Sequence, residues 1–218
     1  HLIESLVADE FDITMCQEML VDHALTLPLA LFWPGGGEWP VRIVPVAMNH
    51  VQHPLPTLRR SHRLGQAVGR ALESWDSDAR VLVMGTGGLS HQLDGQRAGF
   101  INKPFDLMCM DALVDDPERL TRLSIHDLVR EAGAQGTELM TWIAARGALT
   151  GAVTKVHASY HIPISNTAGA VMVLENYLPS EPNPEAARAR ISKYARGQDY
   201  HLAFQRRLGA LAERLRQA

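Results

Sequence analysis

Two short apolar runs with an amphipathic stripe between them limit the possible folds more than any other feature of this chain. Residues 41–47 (VRIVPVA) are rich in β-branched side chains and read as a buried strand, and residues 80–84 (RVLVM) read as a second. Between them, Leu64, Ala67, Val68, Ala71, Leu72 and Trp75 recur at helical spacing, which predicts a helix over 62–75. Strand, helix, strand is the βαβ unit of a parallel or mixed sheet. The expected fold class is therefore α/β, with a central, mostly mixed β-sheet flanked by helices.

The rest of the chain adds elements to this frame. Leu2, Ile3, Leu6 and Val7 mark the end of a helix at the very start. The apolar stretch 26–32 closes at Pro34-Gly35-Gly36-Gly37, a loop signal. Helices are expected over 107–115, 124–132 and 136–147, the last with Leu139, Ile143 and Leu149 along a face. Residues 153–161 read as a strand and 168–175 as a further inner element. A Pro-containing link at 179–184 leads to an alanine- and arginine-rich tail, 185–217, with a helical period. The expected division is one domain over 1–178 and a helical extension over 179–218, a solvated or subunit-facing helix.

Composition removes some classes of function. The net charge of −3 argues against a nucleic-acid binder that works by counterion release. No apolar run reaches the length of a membrane span, and no signal peptide is visible. Two cysteines without motif spacing, Cys16 and Cys109, suit a reducing compartment, so the cytoplasm is the expected location. The first residue is His1, and the chain opens directly in a helical pattern, which suggests that residues upstream are missing.

The segment Gly85-Thr86-Gly87-Gly88-Leu89-Ser90-His91 follows the expected strand at 80–84. Glycines there let the backbone turn sharply and approach a ligand closely, and strand ends are where open α/β sheets place ligands. The phosphate-loop and dinucleotide fingerprints are not met, so the loop is built to present Ser90 and His91. On these grounds His91 divides evenly between a functional histidine and one that merely caps the loop. Glu138 stands among apolar neighbours, Leu139, Met140 and Trp142. A carboxylate there needs a partner or a metal, or else it is a surface residue favoured by a helix start. The residues alone lean slightly to the second reading.

Weaker candidates are the Asp22-His23 pair, His50 with His53, His157 with His161, and the polar turn Ser165-Asn166-Thr167. The turn suits binding of an anionic group and equally suits a plain turn. A zinc site built on His50 and His53 is the weakest option. No zinc-protease or serine-hydrolase motif is present.

Taken together, the pieces resemble a known family. The runs Asp9-Glu10-Phe11-Asp12, Val21-Asp22-His23, Trp39-Pro40-Val41-Arg42-Ile43-Val44-Pro45 and Gly85-Thr86-Gly87-Gly88-Leu89-Ser90-His91-Gln92 are followed by Gly95-Gln96-Arg97-Ala98-Gly99, Glu138-Leu139-Met140-Thr141-Trp142, Arg146-Gly147-Ala148 and Ser165-Asn166-Thr167-Ala168. In this order and spacing, over roughly residues 1–176, the chain is similar to the class III extradiol ring-cleaving dioxygenases. Within that class it resembles the catalytic β subunit of protocatechuate 4,5-dioxygenase and its relatives, the gallate dioxygenases.

The resemblance implies a non-haem Fe(II) cofactor held by two histidines and a glutamate, with O2 and a carboxylated catechol as reactants. It implies that Glu138 is the glutamate ligand and that His91 carries protons to and from the substrate. It further implies that His23 is a second active-site histidine and that Ser165 and Asn166 contact the substrate carboxylate. The family's two iron-binding histidines fall before residue 1, and none of His23, His50, His53 or His62 matches their motifs. The domain at 1–178 is thus expected to lack its N-terminal part. Expected partners are the small aromatic substrate and O2, with a homodimer or a small helical α subunit, and neither nucleic acid nor membrane. The alternative is a relative without iron chemistry that acts through interactions.

Overall fold

A computed structural model of the chain describes residues 1–164 and 166–176. The chain divides into two compact units. One holds His1–Thr26 and Arg42–Tyr177, and the other holds Leu27–Val41 and Leu178–Ala218. Ser165 and the expected extension at 179–218 lie outside the described residues. None of the helices among the described residues is long and apolar enough to cross a membrane.

Seven α-helices and two strands are described, in chain order α1 (Leu2–Ala8), α2 (His23–Phe32), α3 (Leu58–Glu73), α4 (Lys103–Asp115), α5 (Pro117–Thr121), α6 (Ile125–Ala132), α7 (Leu139–Gly147), β1 (Val153–His161) and β2 (Gly169–Asn176). A 3₁₀ turn, Ala134–Glu138, leads directly into α7. Local chemistry fixes several starts. Thr57 caps α3 by accepting from the Arg60 N–H, and Asn102 caps α4 by accepting from the Phe105 N–H. Ser124 and Asp127 exchange hydrogen bonds at the start of α6, the reciprocal arrangement of a capping box.

The core of the larger unit gathers Leu58 of α3, Cys109 and Leu113 of α4, Leu128 of α6 and Leu139, Met140 and Ile143 of α7, all almost wholly buried. Each large apolar side chain so placed contributes about 1.5–3 kcal/mol. Helices α3 and α7 meet backbone to backbone. A methyl group on Gly65 would collide with the Ala144 carbonyl, and one on Gly147 with that of His62. Small residues at these positions are what permit the approach. Arg146 of α7 is buried and donates to the carbonyls of Leu113 on α4, Leu149 and Gly151.

The sheet differs from expectation. Strands β1 and β2 pair antiparallel, Val153 opposite Asn176 and His161 opposite Gly169, with an irregularity between Lys155 and His157. Residues 41–47 and 80–84, expected as the first strands of a central mixed sheet, form no strand. The physical reason is the lack of a neighbour. A strand exists through its ladder, and neither run has a ladder partner among the described residues. Their apolar side chains accordingly stand in solvent, with Val44 at 72% and Leu82 at 74% exposure. The expected helices at 62–75, 107–115, 124–132 and 136–147 are all present, with starts shifted by up to four residues and the last divided into the 3₁₀ turn and α7.

Candidate active site

The glycine loop after residue 84 is held at each residue from Thr86 to His91. Thr86 gives its carbonyl to the Thr141 hydroxyl, and Gly87 gives its carbonyl to the Trp142 indole N–H at 3.2 Å. Gly88 donates its N–H to Glu138 Oε2 at 2.5 Å. Leu89 donates to the Ala168 carbonyl, Ser90 accepts from the Ala168 N–H, and His91 donates its backbone N–H to Ala132 at 2.8 Å. The start of α7, the end of α6 and the segment before β2 therefore converge on six consecutive residues.

Glycine is required at one point in particular. Gly87 has φ +128°, a conformation that side chains rarely adopt, and a Cβ there would lie 2.7 Å from Glu138 Cβ. The loop thus turns with its backbone pressed against the glutamate. This explains how a residue 50 positions away comes to receive the Gly88 N–H.

His91 and Glu138 face each other. The histidine ring is buried and its Nδ1 lies 2.9 Å from the Leu89 carbonyl oxygen. A carbonyl can only accept, so Nδ1 carries the proton, and in the neutral ring Nε2 is left as an acceptor. That Nε2 stands 3.9 Å from Glu138 Oε1. This is too far for a hydrogen bond and leaves the lone pair and the carboxylate oxygen pointing toward shared space. Glu138 keeps Oε1 outward because Oε2 is engaged by Gly88. With a side-chain exposure of 27% against 6% for His91, the carboxylate is the more accessible of the two groups.

Asn166 lies beside this pair through the backbone. Its neighbour Thr167 forms an antiparallel bridge with His91. Asn166 itself adopts a left-handed conformation with φ 58°, a state that Asn tolerates. Its side chain sits against Gly99 of the loop that follows His91.

The other expected residues are not gathered in. His23 is exposed at the first turn of α2 and makes no hydrogen bond or ion pair with His91 or Glu138. His50 and His53 lie in an irregular segment tied by the Asn49 side chain. Among the described residues, no group of three His, Cys, Asp or Glu side chains is placed to hold a metal ion. Cys109 is buried, which pushes its thiol well above the usual range, so it is no nucleophile.

Sequence reasoning missed a buried polar group under the loop. Asp106 of α4 accepts from both the N–H and the hydroxyl of Ser90, and from the Tyr160 hydroxyl on β1. No local spacing links positions 90, 106 and 160. The only hint is an aspartate in the first turn of a helix, which its position alone explains.

Comparison with known proteins now bears on this geometry. The family model described as the catalytic LigB subunit of aromatic ring-opening dioxygenase matches residues 1–171. The chain belongs to that family. It is 40% identical over 190 residues to a gallate dioxygenase of Pseudomonas putida, an alignment covering 87% of this chain and 56% of that protein. A 2,3-dihydroxyphenylpropionate/2,3-dihydroxicinnamic acid 1,2-dioxygenase of Cupriavidus necator is 42% identical over 91 residues, covering 42% of this chain and 28% of that relative. Its counterpart from Xanthobacter autotrophicus is 29% identical over 211 residues, covering 76% and 66%. The chain thus spans little more than half of the gallate dioxygenase. A second family model, epoxyqueuosine reductase QueG, DUF1730, matches residues 162–218, which fall mostly outside the described part. The position of the chain among the LigB-type proteins rests on the first match, which includes the glycine loop, His91 and Glu138.

Proposed function

We propose that this chain carries the proton-transfer half of an extradiol dioxygenase site that opens the ring of a carboxylated catechol of the protocatechuate or gallate type with O2. The observation that carries the reading is the His91 arrangement. Its proton is tied to Leu89 through Nδ1, and Nε2 is presented toward Glu138 across 3.9 Å. A catechol hydroxyl entering that space meets an imidazole nitrogen, a group able both to take a proton and to return it.

Glu138 is proposed as one oxygen donor to Fe(II). Its free Oε1 and its anionic character suit a hard divalent cation. The described residues do not by themselves make up a three-donor site, so no step is derived through the metal. The reading requires two further donors from outside these residues. Asn166, with Ser165 beside it in sequence, is proposed to receive the substrate carboxylate. The segment bridged to His91 would then orient the ring. His23 is retained as a proposed polar contact only if its helix is brought to the site in the working protein. Residues 1–178 are proposed as the catalytic part and 179–218 as a C-terminal extension. A homodimer or a small helical α subunit is the proposed assembly, in the cytoplasm.

A second reading is favoured by one finding, the lack of a three-donor group among the described residues. Under it the protein is a family member that acts through interactions. Anaerobic loading of the full protein with Fe(II), followed by oxygen uptake with protocatechuate and with gallate, separates the two. Stoichiometric iron and substrate-dependent oxygen consumption support the enzyme. The absence of both iron uptake and oxygen consumption establishes the second reading instead.

A further inference from the structure

The most deeply buried charged group near the loop has no role in the reading above. Asp106 is 1% exposed, and Ser90, which it contacts, is fully buried. Asp106 Oδ1 accepts the Ser90 backbone N–H at 2.9 Å. Oδ2 accepts the Ser90 hydroxyl at 2.6 Å and the Tyr160 hydroxyl at 2.8 Å. The Ser90 oxygen in turn accepts the Asn102 N–H at 2.8 Å. Burial pushes the Asp106 carboxyl upward, and the Ser90 and Tyr160 donors pull it back. A carboxylate in such a place is costly unless its lone pairs are met, and here they are met by three donors from two other segments.

Ser90 is the middle residue of a clip. His91 Nδ1 reaches back two residues to the Leu89 carbonyl, so the Ser90 torsions decide whether that bond can form. Asp106 grips Ser90 twice, by the backbone and by the side chain. We propose that Asp106 is a positioning residue for His91, holding the clip that keeps the proton on Nδ1 and aims Nε2 at the space before Glu138. This rests on the proposed role of His91 in proton transfer.

Two substitutions separate positioning from simple core support. Asp106→Asn keeps the size and one acceptor for the Ser90 N–H. It turns an NH2 group toward two hydroxyls that had been donors, and the Ser90 oxygen already holds the Asn102 N–H. Tyr160→Phe takes a donor from the same carboxylate and leaves both bonds to Ser90. If Asp106 only satisfies the core, both variants lose stability and neither changes the chemistry selectively. Under the proposal, Asp106→Asn lowers kcat about 100-fold with KM little changed, the scale of a small misplacement of a catalytic group. Tyr160→Phe keeps kcat near that of the wild type.

A second readout needs no turnover. In the metal-free full protein, the His91 Nδ1–H resonance in a nitrogen-15 spectrum should be protected in the wild type and in Tyr160→Phe, and lost in Asp106→Asn. Should Asp106→Asn fail to fold, Ser90→Ala decides the matter, because it removes the side-chain half of the grip. It should lower kcat by a smaller factor and weaken the same resonance. Wild-type kcat with an intact resonance in Asp106→Asn, or in Ser90→Ala where that variant decides, overturns the proposal. His91→Ala run alongside tells the two failures apart. If it loses turnover while Asp106→Asn does not, only the positioning role is lost. If it keeps turnover, the reading of His91 itself is lost.

Discussion

Replacing Gly87 by alanine gives the sharpest test of how the loop and Glu138 depend on each other. Two costs combine there. The φ of +128° is a backbone state nearly confined to glycine, and the new Cβ would meet Glu138 Cβ at 2.7 Å and Oε2 at 3.0 Å. The first contact involves the root of the side chain, so a change of rotamer cannot relieve it and the start of α7 must move. Backbone strain of this kind costs roughly 1–3 kcal/mol, and overpacking typically adds ~1–3 kcal/mol. About 4 kcal/mol is the central value for the sum. Gly95→Ala supplies the control. Gly95 has φ +74°, and a Cβ there meets nothing closer than Gln92 Nε2 at 3.6 Å. It incurs the backbone term alone, ~1 kcal/mol. Thermal unfolding of the two variants should therefore differ by about 3 kcal/mol, or roughly 6–12 °C in Tm for a chain of this size. Gly87→Ala should also weaken iron binding, because Glu138 is displaced, whereas Gly95→Ala should not. Equal Tm values for the two variants would refute the argument that the loop is pressed against the glutamate.

Further outcomes follow from other contacts. Ser165→Ala combined with Asn166→Ala should raise KM for protocatechuate or gallate far more than for unsubstituted catechol, and an equal rise for both would exclude a carboxylate site there. Trp142→Phe removes the indole bond to the Gly87 carbonyl and should destabilise by about 1 kcal/mol in chemical denaturation. His62 is buried between α3 and its surroundings, and burial outweighs the nearby Glu118 and, aided by Arg146, holds its pKa below the ordinary histidine value. A histidine that stays neutral when folded is protonated more readily when unfolded, so its contribution is intact above about pH 6.5 and is lost as the pH falls below that value. His62→Gln should flatten the fall in stability between pH 7 and pH 5, and unchanged pH dependence would contradict this.

Legibility in the sequence followed the range of the interactions. Helices α3 and α6 could be read because their apolar stripes and caps are local, as with Ser124 and Asp127. The glycine loop could be read as a presenting turn for His91 because glycine needs no distant partner to signal a bend. Glu138 could not be distinguished from a helix-start glutamate, since what sets it apart is a bond to Gly88 across 50 residues. Asp106 was hidden for the same reason, with its partners at 90 and 160. The runs at 41–47 and 80–84 misled in the opposite direction. Their composition is that of strands, but a strand also needs a neighbour, and composition carries no information on whether one is present. His23 was a weak candidate through its pairing with Asp22 and gained a role only from the resemblance, and the fold leaves it exposed on α2.

On the proposed reading, Glu138 and His91 share one site and divide its work, the first holding iron and the second moving protons. Iron content and turnover measured together on Glu138→Gln and His91→Ala, in the full protein loaded anaerobically, test it most directly. Glu138→Gln should lose most of its iron, while His91→Ala should keep its iron and lose turnover by about 10²–10⁴-fold. Full iron in Glu138→Gln, or wild-type turnover in His91→Ala, would contradict it.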